Sequence, residues 1–87
     1  MNRLSIVILN WNGVDMLRRF LPSVVEHSPG ADIVVVDNGS TDDSLPWLES
    51  AMPTVRCIRL DRNYGFAEGY HRGLKALGQS GSYYLLL

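Results

Sequence analysis

Ile33-Val34-Val35-Val36-Asp37-Asn38-Gly39-Ser40 is the stretch that decides the fold of this chain. Four consecutive β-branched residues, without alternation, describe a strand buried on both faces, as in the interior of a parallel sheet. The run stops at once on a carboxylate, an amide and a glycine, so strand and loop meet within one residue. On the N-terminal side, Leu4-Ser5-Ile6-Val7-Ile8-Leu9 is a second such run, ended by Asn10-Trp11-Asn12-Gly13. Between the two runs Met16, Leu17, Phe20, Leu21, Val24 and Val25 recur in pairs every four residues, with Arg18, Arg19, Ser23 and Glu26 among them. That is the pattern of an amphipathic helix.

Reading toward the C-terminus, Ser40, Thr41, Asp42 and Asp43 supply capping side chains and negative charge for a helix start. Leu45, Leu48 and Met52 form its inner stripe, Pro46 is accommodated in its first turn, and Pro53 ends it. Val55 to Leu60 is a third strand, followed by the turn Asp61-Arg62-Asn63-Tyr64-Gly65. Phe66, Tyr70, Leu74 and Leu77 have helical spacing, and Glu68 and Arg72 form an i,i+4 pair on the same helix. Gly78 to Gly81 break it, and Tyr83 to Leu87 begin a fourth strand. The sequence predicts βαβαβαβ, an α/β chain of parallel strands joined by right-handed crossovers.

Composition narrows the function. With 87 residues the chain holds one domain at most. Lys and Arg number 8 against 9 Asp and Glu, a net charge of −1, which argues against a general polyanion binder. The 46% hydrophobic and 20% charged content is that of a globular protein. Cys57 is the single cysteine, which excludes an internal disulfide and a multi-cysteine zinc cluster. No apolar run approaches the ~20 residues of a membrane span, and Leu4 to Leu9 is too short for a secretory core. The expected setting is cytoplasmic. Ending on the apolar Tyr83-Tyr84-Leu85-Leu86-Leu87 is unusual for a whole domain, because an uncovered apolar edge strand invites pairing. The length therefore reads as one part of a larger domain, or as a chain whose strand-four edge pairs with a partner or a second copy.

In an open parallel sheet, ligands bind outside the C-terminal ends of the strands. The segments 10–13, 37–40 and 61–66 follow the first three strands, and all are polar and contain glycine. The opposite connector, Ser28-Pro29-Gly30-Ala31, is an ordinary turn. Each rim residue also has a plain structural reading. Asp37 with Ser40 serves as a turn and cap, Trp11 as a core aromatic, Gly69 and Gly73 as sites of close helix-to-sheet packing, and His71 as a half-buried helix residue. His27 reads as a solvated residue near a helix end, and Cys57 as an inert core thiol. Several chemistries are excluded by missing motifs. There is no G-x-G-x-x-G after strand one, no P-loop, no acidic phosphoacceptor set, no zinc spacing and no catalytic triad.

Three blocks in series, Ser5 to Gly13, Val35 to Asp42 and Asn63 to Gly73, resemble family 2 glycosyltransferases of the GT-A fold. The third block is similar to the N-x-G-F-A-x-G-x-N-x-G signature of the rhamnosyltransferase-like subgroup. The resemblance implies a three-layer, Rossmann-like parallel sheet with strand order 3-2-1-4, forming the N-terminal, nucleotide-sugar-binding half of such a domain. It implies that Leu9, Asn10 and Trp11 lie along the base and ribose and that Asp37 accepts a hydrogen bond from the base. That suits a carboxylate facing a pyrimidine N–H. Asn38 stands where many members have a second Asp. Asn63, Gly65 and Phe66 match the loop that approaches the nucleotide-sugar, and His71 replaces the family's asparagine.

The family's D-x-D metal motif after the fourth strand is absent from this sequence. The resemblance thus implies a nucleotide-diphospho-sugar donor and, in the whole enzyme, Mg or Mn held by residues outside this chain. The implied reaction is hexosyl or rhamnosyl transfer to a glycan or lipid-linked acceptor, as in cell-wall or O-antigen polysaccharide synthesis. The implied location is cytoplasmic or at the inner face of the membrane. The chain alone is expected to be inactive. A non-catalytic nucleotide-binding fragment and an assembly fragment pairing through its edge strand stand as alternatives.

Overall fold

The computed structural model describes residues 4–78 and 83–86, with side chains over residues 5–78. Gln79, Ser80 and Gly81 of the predicted break and Leu87 of the predicted fourth strand lie outside the described residues. The elements are β1 (Leu4–Asn10), α1 (Val14–Glu26), β2 (Asp32–Asp37), α2 (Ser44–Ala51), β3 (Arg56–Arg59), α3 (Phe66–Leu77) and β4 (Tyr83–Leu86). They form one sheet in the order β3-β2-β1-β4, with every neighbouring pair parallel. This is the order the family resemblance implies.

The continuous apolar runs are explained by helices on both faces of the sheet. Because strand side chains alternate, Ile6 and Ile8 of β1 join Ile33 and Val35 of β2 on one face. There they meet Leu17 and Leu21 of α1 and Leu48 of α2. Val7, Val34 and Val36 point to the other face, where Tyr70 of α3 covers them. β3 is shorter than the predicted Val55 to Leu60 because it is a sheet edge. Arg56 and Arg59 are exposed, Cys57 and Ile58 half-buried, and the ladder ends one residue on with the Leu60 N–H donating to the Asp37 carbonyl at 2.8 Å. The half-buried Cys57 thiol is pushed up to about 11 by burial and by the Asp37 charge, which keeps it protonated near neutral pH.

Three predicted placements differ. Met16 precedes the buried Leu17 and is exposed, so the inner stripe of α1 starts one residue later. Trp11 is also exposed and is not a core aromatic. His71 lies on the outer side of α3 and is exposed, not half-buried.

α3 approaches the sheet closely because two of its buried residues lack side chains. A Cβ at Gly73 would sit 2.5 Å from Val36 Cγ2, and one at Gly69 would sit 2.8 Å from Asn38 Nδ2 and 3.1 Å from Leu9 Cδ1. Val36 is fully buried and has nowhere to move. Gly73→Ala is therefore expected to cost about 1–3 kcal/mol by overpacking. Thermal unfolding followed by circular dichroism checks this, and an unchanged midpoint would mean that α3 slides freely on the sheet.

Candidate functional site

The strand register brings Asn10 of β1 opposite Asp37 of β2. The Asn38 N–H donates to the Asn10 carbonyl at 2.8 Å and continues the ladder into the loop. The loops after β1, β2 and β3 thus leave from one rim. At its centre Asp37 is 1% exposed. Its Oδ1 accepts from Asn10 Nδ2 at 3.0 Å, and its Oδ2 accepts from the Ser40 N–H at 2.9 Å. The Asn10 amide also reaches Ser40 Oγ at 3.3 Å, so a buried amide and a buried carboxylate are tied to the same turn. The expected pairing of Asp37 with Ser40 is present.

A second network ties the first two loops together. Asn12 has a positive φ of 50°. Its N–H donates to Ser40 Oγ at 2.8 Å, and its Oδ1 accepts from the Thr41 N–H at 2.7 Å and the Asp42 N–H at 3.1 Å. Asp42 then reaches both helices, accepting from the Val14 N–H at 3.2 Å and the Ser44 N–H at 2.9 Å. These are the first residues of α1 and α2, whose leading N–H groups have no partner within the helix. Desolvation pulls the Asp42 pKa upward, but the hydrogen bonds from Ser44 and Val14 outweigh it and hold the carboxyl below its ordinary range. The expected helix-start charge is therefore real but reaches further than predicted. Asp43, at the cap position of α2, makes no side-chain cap bond, and Asp42 serves two helices instead.

The third loop is seated on the second. Gly39 has a φ of 77°, and a Cβ there would lie 2.6 Å from the Arg62 carbonyl carbon and 2.7 Å from its Cα. Asn38 is 2% exposed. Its Nδ2 donates to Asn63 Oδ1 at 3.1 Å and to the Gly65 carbonyl at 3.0 Å, and its Oδ1 accepts from the Tyr64 N–H at 3.0 Å. Outside this clamp, Arg62 and Arg72 lie 4.5 Å and 3.9 Å from the centre of the Tyr64 ring. The Tyr64 hydroxyl donates to Asp61 and holds that carboxyl below its usual range. The predicted Glu68–Arg72 pair is present at 2.8 Å.

The eight residues picked from the sequence fall into three groups. Leu9, Asn10 and Trp11 line a cavity of ≈ 280 Å³ on the α1 side, together with Gly13, Met16 and Phe20. Asp37 and Asn38 are buried between the loops. Asn63, Gly65 and Phe66 stand on the α3 side and do not line that cavity. Trp11 is 54% and Phe66 72% exposed, so both large rings stand outward at the rim. Phe66 meets Tyr70 edge-on at 5.0 Å, and the Tyr70 hydroxyl lies 3.4 Å from the Leu9 N–H. A larger cavity of ≈ 350 Å³ lies at the opposite end of the sheet among the connectors Ser28 to Ile33 and Thr54 to Arg56, and it has no comparable convergence of loops.

The sequence reading missed Asn12 as an organising residue and Asp42 as a double cap. Asn10-Trp11-Asn12-Gly13 marked the end of the first strand, but nothing local signalled the partners of Asn12, 29 and 30 residues away. Among the described residues no group of three or more His, Cys, Asp or Glu is placed to hold a metal ion. Among them, too, no helix is long and apolar enough to cross a membrane.

The profile of the family described as "Glycosyl transferase family 2" matches residues 5–86. Among solved structures the chain is similar to a mannosyltransferase from Pyrobaculum calidifontis, PcManGT, in complex with GDP-Man and Mn2+. The TM-score is 0.67 at 20% identity, over 85% of this chain and 24% of that one. The chain thus spans about a quarter of that enzyme's length, and the likeness is one of fold. No curated protein matches the sequence.

Proposed function

The chain belongs to glycosyl transferase family 2, and on that premise we propose that its strand-end rim binds the nucleotide part of a nucleotide-diphospho-sugar. The observation that carries this reading is the meeting of the loops after β1 and β2 on one buried carboxylate, Asp37, whose partner Asn10 also walls a cavity with Leu9 and Trp11, while the third loop is seated on the neighbouring Asn38. A carboxylate has lone pairs beyond the two hydrogen bonds it accepts here, and a base N–H is a fitting donor to it. The Asn10 amide is already such a donor. A base reaches Asp37 by displacing that amide, which keeps its second partner in Ser40 Oγ.

Trp11, exposed at the mouth of the cavity, offers an aromatic face for the base or ribose. Asn63, Gly65 and Phe66 approach from the α3 side, where Gly65 lets the backbone come close. The whole domain would pass the sugar to a glycan or lipid-linked acceptor, with a divalent cation neutralising the diphosphate. The described residues do not assemble ligands for that cation, and the sequence has no D-x-D pair. In this reading the transfer step draws on residues outside this chain, and the finer assignment to a rhamnosyltransferase-like subgroup rests on the Asn63 to Gly73 block alone.

Titration of the chain with UDP-, dTDP- and GDP-sugars in the presence of Mn2+ tests the reading. Saturable binding is expected below about 1 mM, equivalent to roughly 4 kcal/mol. Trp11→Ala should weaken it about tenfold, the scale of one lost aromatic contact, and remove the part of the fluorescence change that Trp47 does not report. Absence of saturable binding at millimolar donor would sink the nucleotide reading and leave assembly through the β4 edge, visible as a concentration-dependent dimer. Release of free or transferred sugar by this chain alone would overturn its restriction to binding.

A further inference from the structure

We propose that Asn38 is a positioning residue whose carboxamide sets the β3–α3 loop and thereby places Phe66 at the rim, a role that rests on the nucleotide-binding reading above for its effect on ligand. Both hydrogens of the Asn38 amide are spent on this loop, one on Asn63 Oδ1 and one on the Gly65 carbonyl, while its oxygen holds the Tyr64 N–H. The group is 2% exposed, so none of these partners is readily replaced by water.

Gly65 has a φ of 80°, a conformation that favours glycine. Its carbonyl also accepts the Gly69 N–H at 3.0 Å, the first bond of α3. Its own N–H donates to Asn63 Oδ1 at 2.7 Å. Asn38 therefore fixes the entry into α3, and Phe66 is the next residue. The space for the amide is made by Gly69, where a Cβ would stand 2.8 Å from Asn38 Nδ2.

The identity of the side chain matters more than its shape. A carboxylate at position 38 keeps the acceptor for Tyr64 but faces two oxygens where it needs donors. It would also place a second negative charge beside Asp37. The amide is thus the one near-isostere that fits this loop.

Asn38→Asp is the test, read in two ways. Without ligand, the backbone amide resonances of Tyr64, Gly65, Phe66 and Gly69 should shift in N38D at pH 8 and move back toward the parent's positions by pH 5. Protonation gives the introduced carboxyl one O–H donor for Gly65 or Asn63. The parent, which carries the same Asp37, Asp61, Arg62, Tyr64, Tyr70 and His71, supplies the background to subtract. With ligand, nucleotide-sugar affinity should fall about tenfold at pH 8 and recover in part on acidification. Unshifted loop resonances in N38D would overturn the positioning role. Shifted resonances with unchanged affinity would overturn its bearing on the site. If the parent binds no nucleotide-sugar, the nucleotide reading fails while the loop resonances still decide the positioning role. Should N38D not fold, Asn63→Ala, on the exposed side of the same network, must shift the same four resonances, and failure to do so overturns the role.

Discussion

Gly39→Ala is expected to lower the unfolding midpoint by roughly 10–20 °C, the largest effect of a single added methyl at the described glycines. Two costs combine at this position. The φ of 77° lies in the left-handed region, which costs an L residue about 1–2 kcal/mol. The added Cβ would also meet the Arg62 backbone at 2.6 Å, and backbone cannot rotate away as a side-chain tip can. Together these amount to roughly 2–4 kcal/mol, in a domain whose whole stability is on the order of 4–13 kcal/mol. At about 4–8 °C per kcal/mol for this size, the midpoint shift follows. Gly30→Ala is the internal control. Its φ of 83° is similar, but nothing lies within 4 Å of the added carbon. It should show the strain alone, near 5–10 °C. If the two variants unfold together, the third loop is not seated on Gly39.

Asp37→Asn is expected to weaken nucleotide-sugar binding roughly 10- to 100-fold while leaving the chain folded. A hydrogen bond to a charged acceptor contributes about 1.5–3 kcal/mol, and the amide replaces one acceptor oxygen by a donor. Locally that new N–H must face either the Asn10 amide or the Ser40 N–H, both of which are donors. A stability loss of about 1–3 kcal/mol should accompany the change. Asp37→Ala should cost more stability, because it leaves the Ser40 N–H without its acceptor and opens a gap in a fully buried position. Calorimetric titration and thermal unfolding on the same samples separate the two effects. Unchanged affinity in D37N would remove Asp37 from any contact with the base.

The sheet was readable in the sequence because burial on both faces leaves a plain signature. Val34, Val35 and Val36 have helices above and below them, so no polar residue interrupts the run. The rim was readable for the same reason. Where the strands end, polarity returns at once, at Asn10 and Asp37, whose buried side chains are paired with each other. Gly69 and Gly73 were also legible, since a buried helix face can lack side chains only where something comes very close. Helical period alone placed Met16 and His71 on the wrong side, because each lies at the margin of a stripe where one step of 100° decides exposure. The period had nothing to offer for Trp11, which sits in a loop. Least legible were the ties from Asn12 to Thr41 and Asp42. They are set by which strand neighbours which, and adjacent residues carry no trace of that.

The reach of Asp42 to the first turns of both α1 and α2 has a consequence for engineering this scaffold. Residues 10–14 and 37–44 share so many donors and acceptors that neither segment is expected to keep its shape when the other is exchanged. Transplanting one loop from a relative to alter ligand preference would strand hydrogen-bonding groups at the start of two helices. The exchangeable unit is the pair, carried over together with Asn12 and Asp42 as its couplings.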